Sequence, residues 1–191
     1  KLSGKISANQ LTIIGLVIGL IGSLFIYVSS LYVALSIPFT ILSSIFIIIS
    51  FFFDTLDGSL ARFEGPTIFG GVLDIFCDRL VEVSIIIAII TTDPLNLAIP
   101  GIFTLAAIIL CISMFLIVGG IINRENLNKN SKVITYQGGL IERSETFIFL
   151  LAILILIPLR SVILWVFAIL IFLTALLRLR NAYQIFNLDV K

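Results

Sequence analysis

The sequence predicts an all-α fold, a bundle of six transmembrane helices, from its composition and from the length of its apolar runs. Of the 191 residues, 60% are hydrophobic and 12% are charged, and the mean hydropathy is +1.23. Soluble domains are only about half apolar and about one quarter charged. Apolar runs of about 20 residues, long enough to cross a bilayer, recur along the whole chain. Residues 1–191 are therefore predicted to form a single membrane domain.

Six candidate spans follow from the apolar runs and the turn residues between them. Polar residues precede the first span, and either Ser7 or Asn9 is a candidate helix N-cap. Thr92, Asp93 and Pro94 predict a turn after the third span, and Pro158 lies at the end of the short fifth span. The approximate spans are residues 10–28, 31–61, 68–90, 99–122, 147–159 and 162–179.

The positive charges predict the orientation of the chain. If all six spans cross, eleven of the twelve Lys and Arg residues fall on one side of the membrane, and Arg160 falls on the other. Cytoplasmic ends of membrane helices carry an excess of Lys and Arg. Both termini, and the connection between the second and third spans, are therefore predicted to be cytoplasmic.

Aspartates cluster at the predicted cytoplasmic ends of the second and third spans. Asp54 and Asp57 are three residues apart, and Asp74 and Asp78 are four apart, so each pair shares one helical face. Carboxylates at membrane depth usually face a polar interior and mark function. If the two helices are neighbours, four hard oxygen ligands converge, a set that suits Mg²⁺ or Mn²⁺. These four aspartates are the predicted metal ligands.

Small residues lie beside the aspartates and predict a groove. Gly58 and Ala61 share the face of Asp54 and Asp57, which leaves room for a nucleotide ring or a phosphate to approach the backbone. Arg62 follows one turn after Gly58 and offers a planar fork for phosphate oxygens. The chain has no His, the commonest general base, so another group must take up any proton, and Asp78 is available for this role.

The acidic and small residues together resemble the signature of the CDP-alcohol phosphotransferase family, and in particular its phosphatidylinositol-phosphate synthase-like members. The gap between Arg62 and Gly70 is slightly shorter than the family usually shows. Members of the family make phospholipids by displacing CMP from CDP-diacylglycerol or a related CDP-alcohol. The matching residues are Asp54-x2-Asp57-Gly58-x2-Ala61-Arg62-x7-Gly70-x3-Asp74-x3-Asp78.

The resemblance implies roles for these residues. Asp54, Asp57 and Asp74 are expected to hold one or two metal ions, and Asp78 is expected to contact the second metal and act as the general base. The CDP-alcohol is expected to bind at Gly58, Ala61, Arg62 and Thr67. The resemblance also implies a homodimer in the cell membrane, with the active site facing the cytoplasm.

The acceptor alcohol stays open. In family members that use a phosphorylated alcohol, basic residues at the start of the fifth span and the end of the sixth hold its phosphate. Arg143, Arg178 and Arg180 match these places, although the last two also fit ordinary positive-inside anchoring. Residues 123–125 lack the aromatic and basic pattern expected for such members. Inositol phosphate, glycerol phosphate, inositol, serine and ethanolamine are all candidate acceptors.

Two other functions are compatible with intramembrane carboxylates. A cation or proton transporter is the main alternative, but it has no need of the glycine and arginine spacing, and no inverted repeat is visible. A catalytically inactive scaffold is the second.

Two further charged residues of the third span are open to more than one interpretation. Glu82 either supports Asp78 or pairs internally with a polar side chain. Arg79 either helps to bind an anionic lipid or the acceptor, or it anchors the third span or pairs with an acid.

Overall fold

Six α-helices form the computed structural model, which describes the backbone of residues 6–129 and 143–188 and the side chains of residues 6–121 and 144–186. Short 3₁₀ turns at Val33–Leu35 and Ile157–Leu159 precede the second and sixth helices, and these ranges contain no strand. The all-α prediction is confirmed. The helices are α1 (Ala8–Leu31), α2 (Ser36–Glu64), α3 (Ile68–Thr92), α4 (Pro94–Lys129), α5 (Arg143–Ile155) and α6 (Arg160–Leu188).

The helix ends follow from local capping. Ser7 is the N-cap of α1: its hydroxyl accepts from the Gln10 amide, and the Gln10 side chain accepts from the Ser7 amide. Asp93 accepts from the Asn96 amide and side chain at the turn before α4, as its predicted turn role requires. Pro94 is the first residue of α4, where a missing N–H costs nothing.

Four helical segments are long and apolar enough to cross a membrane: Ala8–Leu31, Val33–Glu64, Pro94–Ile121 and Ile157–Phe186. The apolar part of α5 is shorter, and α3 carries Asp74, Asp78, Arg79 and Glu82. The chain is therefore a multi-pass membrane protein. Six crossings and cytoplasmic termini stay predictions.

The chain divides into two compact units, residues 1–98 with 150–160 and residues 99–149 with 161–191. In the first unit, α1 packs against both α2 and α3. The buried face of α1 is built largely from small residues, among them Gly15, Gly19 and Gly22. Ser50 of α2 donates a buried hydrogen bond to the Gly15 carbonyl at 2.7 Å. Small side chains allow helix backbones to approach closely in membranes, where apolar burial gives no net attraction.

Arg160 joins two helix ends in the same unit. Its side chain is 7% exposed and donates to the carbonyls of Ile153 and Leu154, at the end of α5, and to the hydroxyl of Thr92, at the end of α3. A helix C-terminus leaves carbonyls without intrahelical partners. The buried guanidinium therefore supplies hydrogen-bond donors to the last carbonyls of α5, and those carbonyls in turn accept from its buried N–H groups.

In the second unit, α4 and α6 pack together. Thr104 donates to the Leu164 carbonyl at 3.2 Å, and the rings of Phe103 and Trp165 are 5.3 Å apart. Val118 and Ala182 form a small buried cluster near the other end of this contact.

Candidate functional site

Asp54, Asp57 and Asp74 come together in the first unit. Each offers a carboxylate oxygen, and these oxygens lie within 4.8 Å of one another. Asp57 is 4% exposed, and the other two carboxylates are half-buried. Three carboxylates this close repel one another strongly where water is scarce. The arrangement therefore requires a counter-charge.

The cluster fits a divalent cation. Oxygens around one Mg²⁺ lie about 2.1 Å from it, hence at most about 4.2 Å apart, so the three ligand atoms need move by less than about 1 Å. The Asp57 Oδ2 atom is also buried and lacks a hydrogen-bond partner among the described residues. Buried polar atoms are nearly always satisfied, and a bound cation would satisfy this one.

The sequence of α2 explains why Asp57 is buried. Ser43, Ser50 and Asp57 recur every seven residues and are all buried, so they lie along one side of the helix. Ser50 contacts α1 directly. The side of α2 that packs against α1 therefore carries a carboxylate near the C-terminal end of the helix instead of an apolar side chain.

A cavity of about 250 Å³ opens beside the cluster. The cavity includes two of the three clustered acids and four of the small or polar residues from the sequence pattern. Its other lining residues come mostly from the start of α1 and the α2–α3 turn. From the pattern it is lined by Asp57, Asp74, Gly58, Ala61, Thr67 and Gly70, and beyond it by Ser7, Ala8, Asn9, Thr12, Glu64, Gly65, Pro66 and Gly71.

Gly65 in the α2–α3 turn and Gly70 in the first turn of α3 are both required by the local geometry. Gly65 has φ +99°, a left-handed conformation that side chains disfavour. Thr67 caps α3 by accepting from the Gly70 amide at 3.0 Å. A β-carbon at Gly70 would lie 2.8 Å from the Thr67 hydroxyl oxygen and 3.0 Å from the Asn9 amide oxygen. Gly70 therefore allows the start of α1 and the start of α3 to close one end of the cavity.

Two of the predicted site residues lie apart from the cluster and the cavity. Arg62 is exposed, donates to the Ser59 hydroxyl at 3.3 Å, and is not among the lining residues. Asp78 lies one turn beyond Asp74 on α3, outside the three-carboxylate group. The roles predicted for these two residues remain predictions.

Glu82 and Arg79 form an ion pair one turn apart on α3. The Arg79 Nη1 atom lies 2.5 Å from the Glu82 carboxylate, and Glu82 is 7% exposed. Internal pairing, one of the predicted alternatives for each residue, is therefore observed. A buried carboxylate needs such a partner, because an unpaired charge is costly away from water.

The predicted acceptor residues belong to the second unit. Arg178 donates to the Cys111 carbonyl at 3.0 Å and to its sulfur at 3.3 Å, and its guanidinium lies 5.2 Å from the Phe115 ring centroid. Arg180 is exposed. The Arg143 side chain lies outside the part of the chain whose side chains are described. The acceptor assignments therefore stay predictions.

The sequence pattern missed the contribution of α1. Asn9 and Thr12 line the cavity together with Ser7, and the prediction gave Ser7 and Asn9 only a capping role. Asn9 and Thr12 are three residues apart, so they share a face at the start of α1. Two polar residues one turn apart at the start of an apolar span were the signal for this role.

Comparison with known proteins agrees with this geometry. A family model described as CDP-alcohol phosphatidyltransferase matches residues 5–176. No curated protein sequence gave a significant match.

Two similar solved structures are of phosphatidylinositol phosphate synthase from Mycobacterium tuberculosis. One, with CDP-DAG bound, is 22% identical with a TM-score of 0.66, and the match covers 95% of this chain and 89% of that one. The other, in complex with manganese and citrate, is 23% identical with a TM-score of 0.65, covering 93% and 83%. At this identity the likeness concerns the fold.

The family match covers most of the chain, including both acid-bearing helices, and it favours the transferase hypothesis over the ion-transporter alternative. The observed helices, the aspartate cluster and this match lead to one conclusion: the chain belongs to the CDP-alcohol phosphatidyltransferase family.

Proposed function

We propose that this protein transfers a phosphatidyl group from CDP-diacylglycerol to a small alcohol and releases CMP. The observation that supports this most directly is the cluster of Asp54, Asp57 and Asp74 beside a cavity of about 250 Å³. Family membership makes the chain a phospholipid-synthesising transferase. A structural neighbour of the same fold was solved with CDP-DAG bound, which supports this donor.

The cavity would hold the nucleotide part of the donor. Gly58 and Ala61 bring the α2 backbone within reach of a ring or phosphate, and Thr67 supplies a hydroxyl at the start of α3. Arg62 would swing toward the donor phosphates, because its side chain is exposed and, among the described residues, has one long hydrogen bond, to Ser59. A guanidinium binds phosphate oxygens in a two-pronged way.

Asp54, Asp57 and Asp74 would hold Mg²⁺ or Mn²⁺, with Asp78 contacting a second ion. Bound metal would supply positive charge to the donor pyrophosphate. A neighbour of the same fold was solved in complex with manganese, which supports such a site but not a choice between the two metals.

Asp78 is the proposed general base. In the proposed step it takes the proton of the acceptor hydroxyl, whose oxygen forms a new bond to the phosphatidyl phosphorus. The phosphoanhydride P–O bond breaks, and CMP leaves with the electron pair of that bond. A carboxylate in this role is consistent with a chain that contains no His.

A phosphorylated acceptor is the proposed substrate class. Its phosphate must approach an anionic donor, and fixed cations are needed to offset that repulsion. Arg143 is the first candidate, followed by Arg178 and Arg180. The Arg178 guanidinium is already oriented by Cys111 and Phe115, which supports a fixed cation in the second unit.

The proposed setting is the cell membrane, with six crossings, both termini in the cytoplasm and the site at the cytoplasmic surface. The distribution of Lys and Arg supports this orientation. A homodimer is proposed from the family resemblance alone.

The decisive experiment incubates the purified protein in lipid vesicles with CDP-diacylglycerol, Mg²⁺ and one acceptor at a time. The five candidate acceptors are tested separately, CMP release is measured, and the lipid product is identified by mass spectrometry. We expect CMP release with an acceptor-dependent product, abolished by excess EDTA. Absence of CMP release with every acceptor, in folded protein that retains the divalent ion, would contradict the proposal.

A further inference from the structure

Gly19, near the middle of α1, lies against both helices that carry the aspartates. A β-carbon at this position would be 2.8 Å from the Ser50 hydroxyl oxygen of α2 and 2.8 Å from each methyl carbon of Val81 of α3. Ordinary contacts begin near 3.4 Å, so even one added methyl group is about 0.6 Å too close to each helix. Gly19 therefore marks a point where three helices meet without room for a side chain.

Each contact lies about two helical turns from a clustered acid on the same helix. Ser50 is seven residues before Asp57, and Val81 is seven residues after Asp74. Residues seven apart lie on the same side of a helix, about 10 Å apart along its axis. Gly19 thus touches α2 and α3 on the same sides of those helices that carry the clustered carboxylates.

Neither neighbour can easily make room. The Ser50 hydroxyl is committed to the Gly15 carbonyl at 2.7 Å in a buried site, and rotating it away would leave buried polar atoms unpaired. Val81 is β-branched, and such side chains are largely confined to one rotamer in a helix. A side chain at position 19 would therefore be accommodated by moving a helix.

Moving either helix off α1 changes the distance between the acids. In the described part of the chain, α2 and α3 make their extensive backbone contacts with α1 and not with each other. The separation of the Asp57 and Asp74 carboxylates, now within 4.8 Å, is therefore set by how closely each helix packs on α1.

We propose that Gly19 is a positioning residue of the metal site, acting through Ser50 and Val81 to hold the two acid-bearing helices at metal-binding distance. The inference rests on the proposed function, because it takes the three aspartates as metal ligands. Functional constellations tolerate displacements of only about 0.5 Å. Changes that act on metal ligands from outside the site cost roughly 10-fold to 100-fold in metal affinity or activity.

The test measures Mn²⁺ affinity by electron paramagnetic resonance on purified, folded protein, independently of turnover. We expect Gly19→Ala to weaken Mn²⁺ binding at least about tenfold. Gly119→Ala is the control for the substitution itself, because a β-carbon there would meet no described atom within 4 Å beyond its own turn of α4. This control should bind Mn²⁺ as the wild type does.

A second variant keeps the inference testable if Gly19→Ala does not fold. Val81→Ala removes the two methyl groups that oppose position 19, which lets α1 shift toward α3 and away from Ser50. The double variant Gly19→Ala/Val81→Ala should therefore recover folded protein and most of the Mn²⁺ affinity. Failure of the double variant to improve on Gly19→Ala would overturn the inference.

Two other outcomes separate this inference from the proposed function. Wild-type Mn²⁺ affinity in Gly19→Ala, with normal CMP release, would overturn the role of Gly19 and leave the transferase intact. Wild-type protein that neither binds Mn²⁺ nor releases CMP would overturn the proposed function, and the inference with it.

Discussion

Asp57 shows how one side chain in this protein serves both packing and chemistry. It occupies the buried side of α2 that packs on α1, yet its Oδ2 atom has no hydrogen-bond partner among the described residues. An apolar side chain at this position could be buried without any cation, whereas the Asp57 carboxylate needs one to offset its charge. Its neighbours Asp54 and Asp74 lie close enough to share one ion, so each of the three charges is expected to matter.

Replacing Asp54 or Asp74 by Asn should abolish turnover while leaving a folded protein in the membrane. The amide keeps the shape of the side chain but removes a negative charge and one oxygen ligand. We expect at least a roughly 100-fold loss in CMP release, measured in vesicles with the same amount of folded protein. Asp93→Asn, at the turn before α4, is the matched control and should be fully active. Near-normal activity in either cluster variant would remove that residue from the site.

Gly58→Leu should block the cavity without disturbing the fold. Among the described residues, and beyond the backbone of its own helical turn, only the Arg62 Nη1 atom lies within 4 Å of a β-carbon at this position, at 3.9 Å. The added side chain therefore extends into the cavity beside Asp57 and not into the helix contacts. We expect the KM for CDP-diacylglycerol to rise at least about tenfold, since filling a site excludes the ligand. Gly119→Leu, in open space on α4, should leave the KM unchanged. Normal binding by Gly58→Leu would place the nucleotide elsewhere.

Arg143→Ala distinguishes the acceptor classes. If the acceptor carries a phosphate held by Arg143, the KM for that acceptor should rise strongly while the KM for the donor stays nearly constant. The charged hydrogen bond that is lost joins the protein to the acceptor and not to the donor. With a neutral acceptor, both KM values should be unchanged. Steady-state kinetics with a verified acceptor distinguish the two cases. Arg180→Ala, measured in the same way, tests the other candidate at the end of α6. An unchanged KM for a phosphorylated acceptor would remove Arg143 from the site.

At the scale of single helices, Arg160 shows what sequence patterns could not predict. The distribution of Lys and Arg predicted that this residue alone lies on the outer side, but it did not predict which groups the side chain binds. The structure shows that its guanidinium binds the last carbonyls of α5 and the Thr92 hydroxyl of α3. Hydropathy detects long apolar runs well, whereas contacts between residues almost 70 positions apart leave no local signature.

Arg160→Ala should destabilise the protein more than it affects chemistry. The substitution leaves buried carbonyls without donors, a loss of about 1.5–3 kcal/mol for each charged hydrogen bond. We expect a clear fall in Tm in detergent, with the KM for CDP-diacylglycerol unchanged at a temperature where the variant is folded. Arg180→Ala, at an exposed position on α6, should shift Tm little. Equal Tm values for both variants would argue against the buried role of Arg160.

The aspartate helices were the most predictable elements. The intervals from Asp54 to Asp78 placed the acids on two helices joined by a short turn, and α2 and α3 have that arrangement. The part played by α1 was not predicted, because its glycines and polar residues carry no charge and the motif does not include them. Gly19 acts through its contacts with Ser50 and Val81, and Asn9 and Thr12 act by lining the cavity, and these arrangements exist only after folding.

For the whole molecule, metal binding and stability should be linked. The native chain brings three carboxylates together, whereas the unfolded chain lets them separate, so a divalent ion binds the native state preferentially. Binding of this kind stabilises by about 2.7 kcal/mol at a ligand concentration 100 times Kd. We expect Mg²⁺ or Mn²⁺ to raise Tm in a concentration-dependent way and EDTA to reverse the effect. Asp54→Asn/Asp74→Asn should show no such shift, and an equal shift there would point to binding elsewhere.

The cavity beside the cluster has a consequence for how the protein responds to its surroundings. Asp57, Glu64 and Asp74 line it, and no Lys or Arg is among the described lining residues. A pyrophosphate would therefore enter a negatively charged cavity, and apart from the Arg62 guanidinium proposed to reach its phosphates, the cations that favour its entry would come from solution. Donor and divalent ion then raise each other's affinity by the same factor, as thermodynamic reciprocity requires. The rate of the proposed reaction would therefore depend on two concentrations together, and abundant CDP-lipid would give little product when the free divalent ion is scarce.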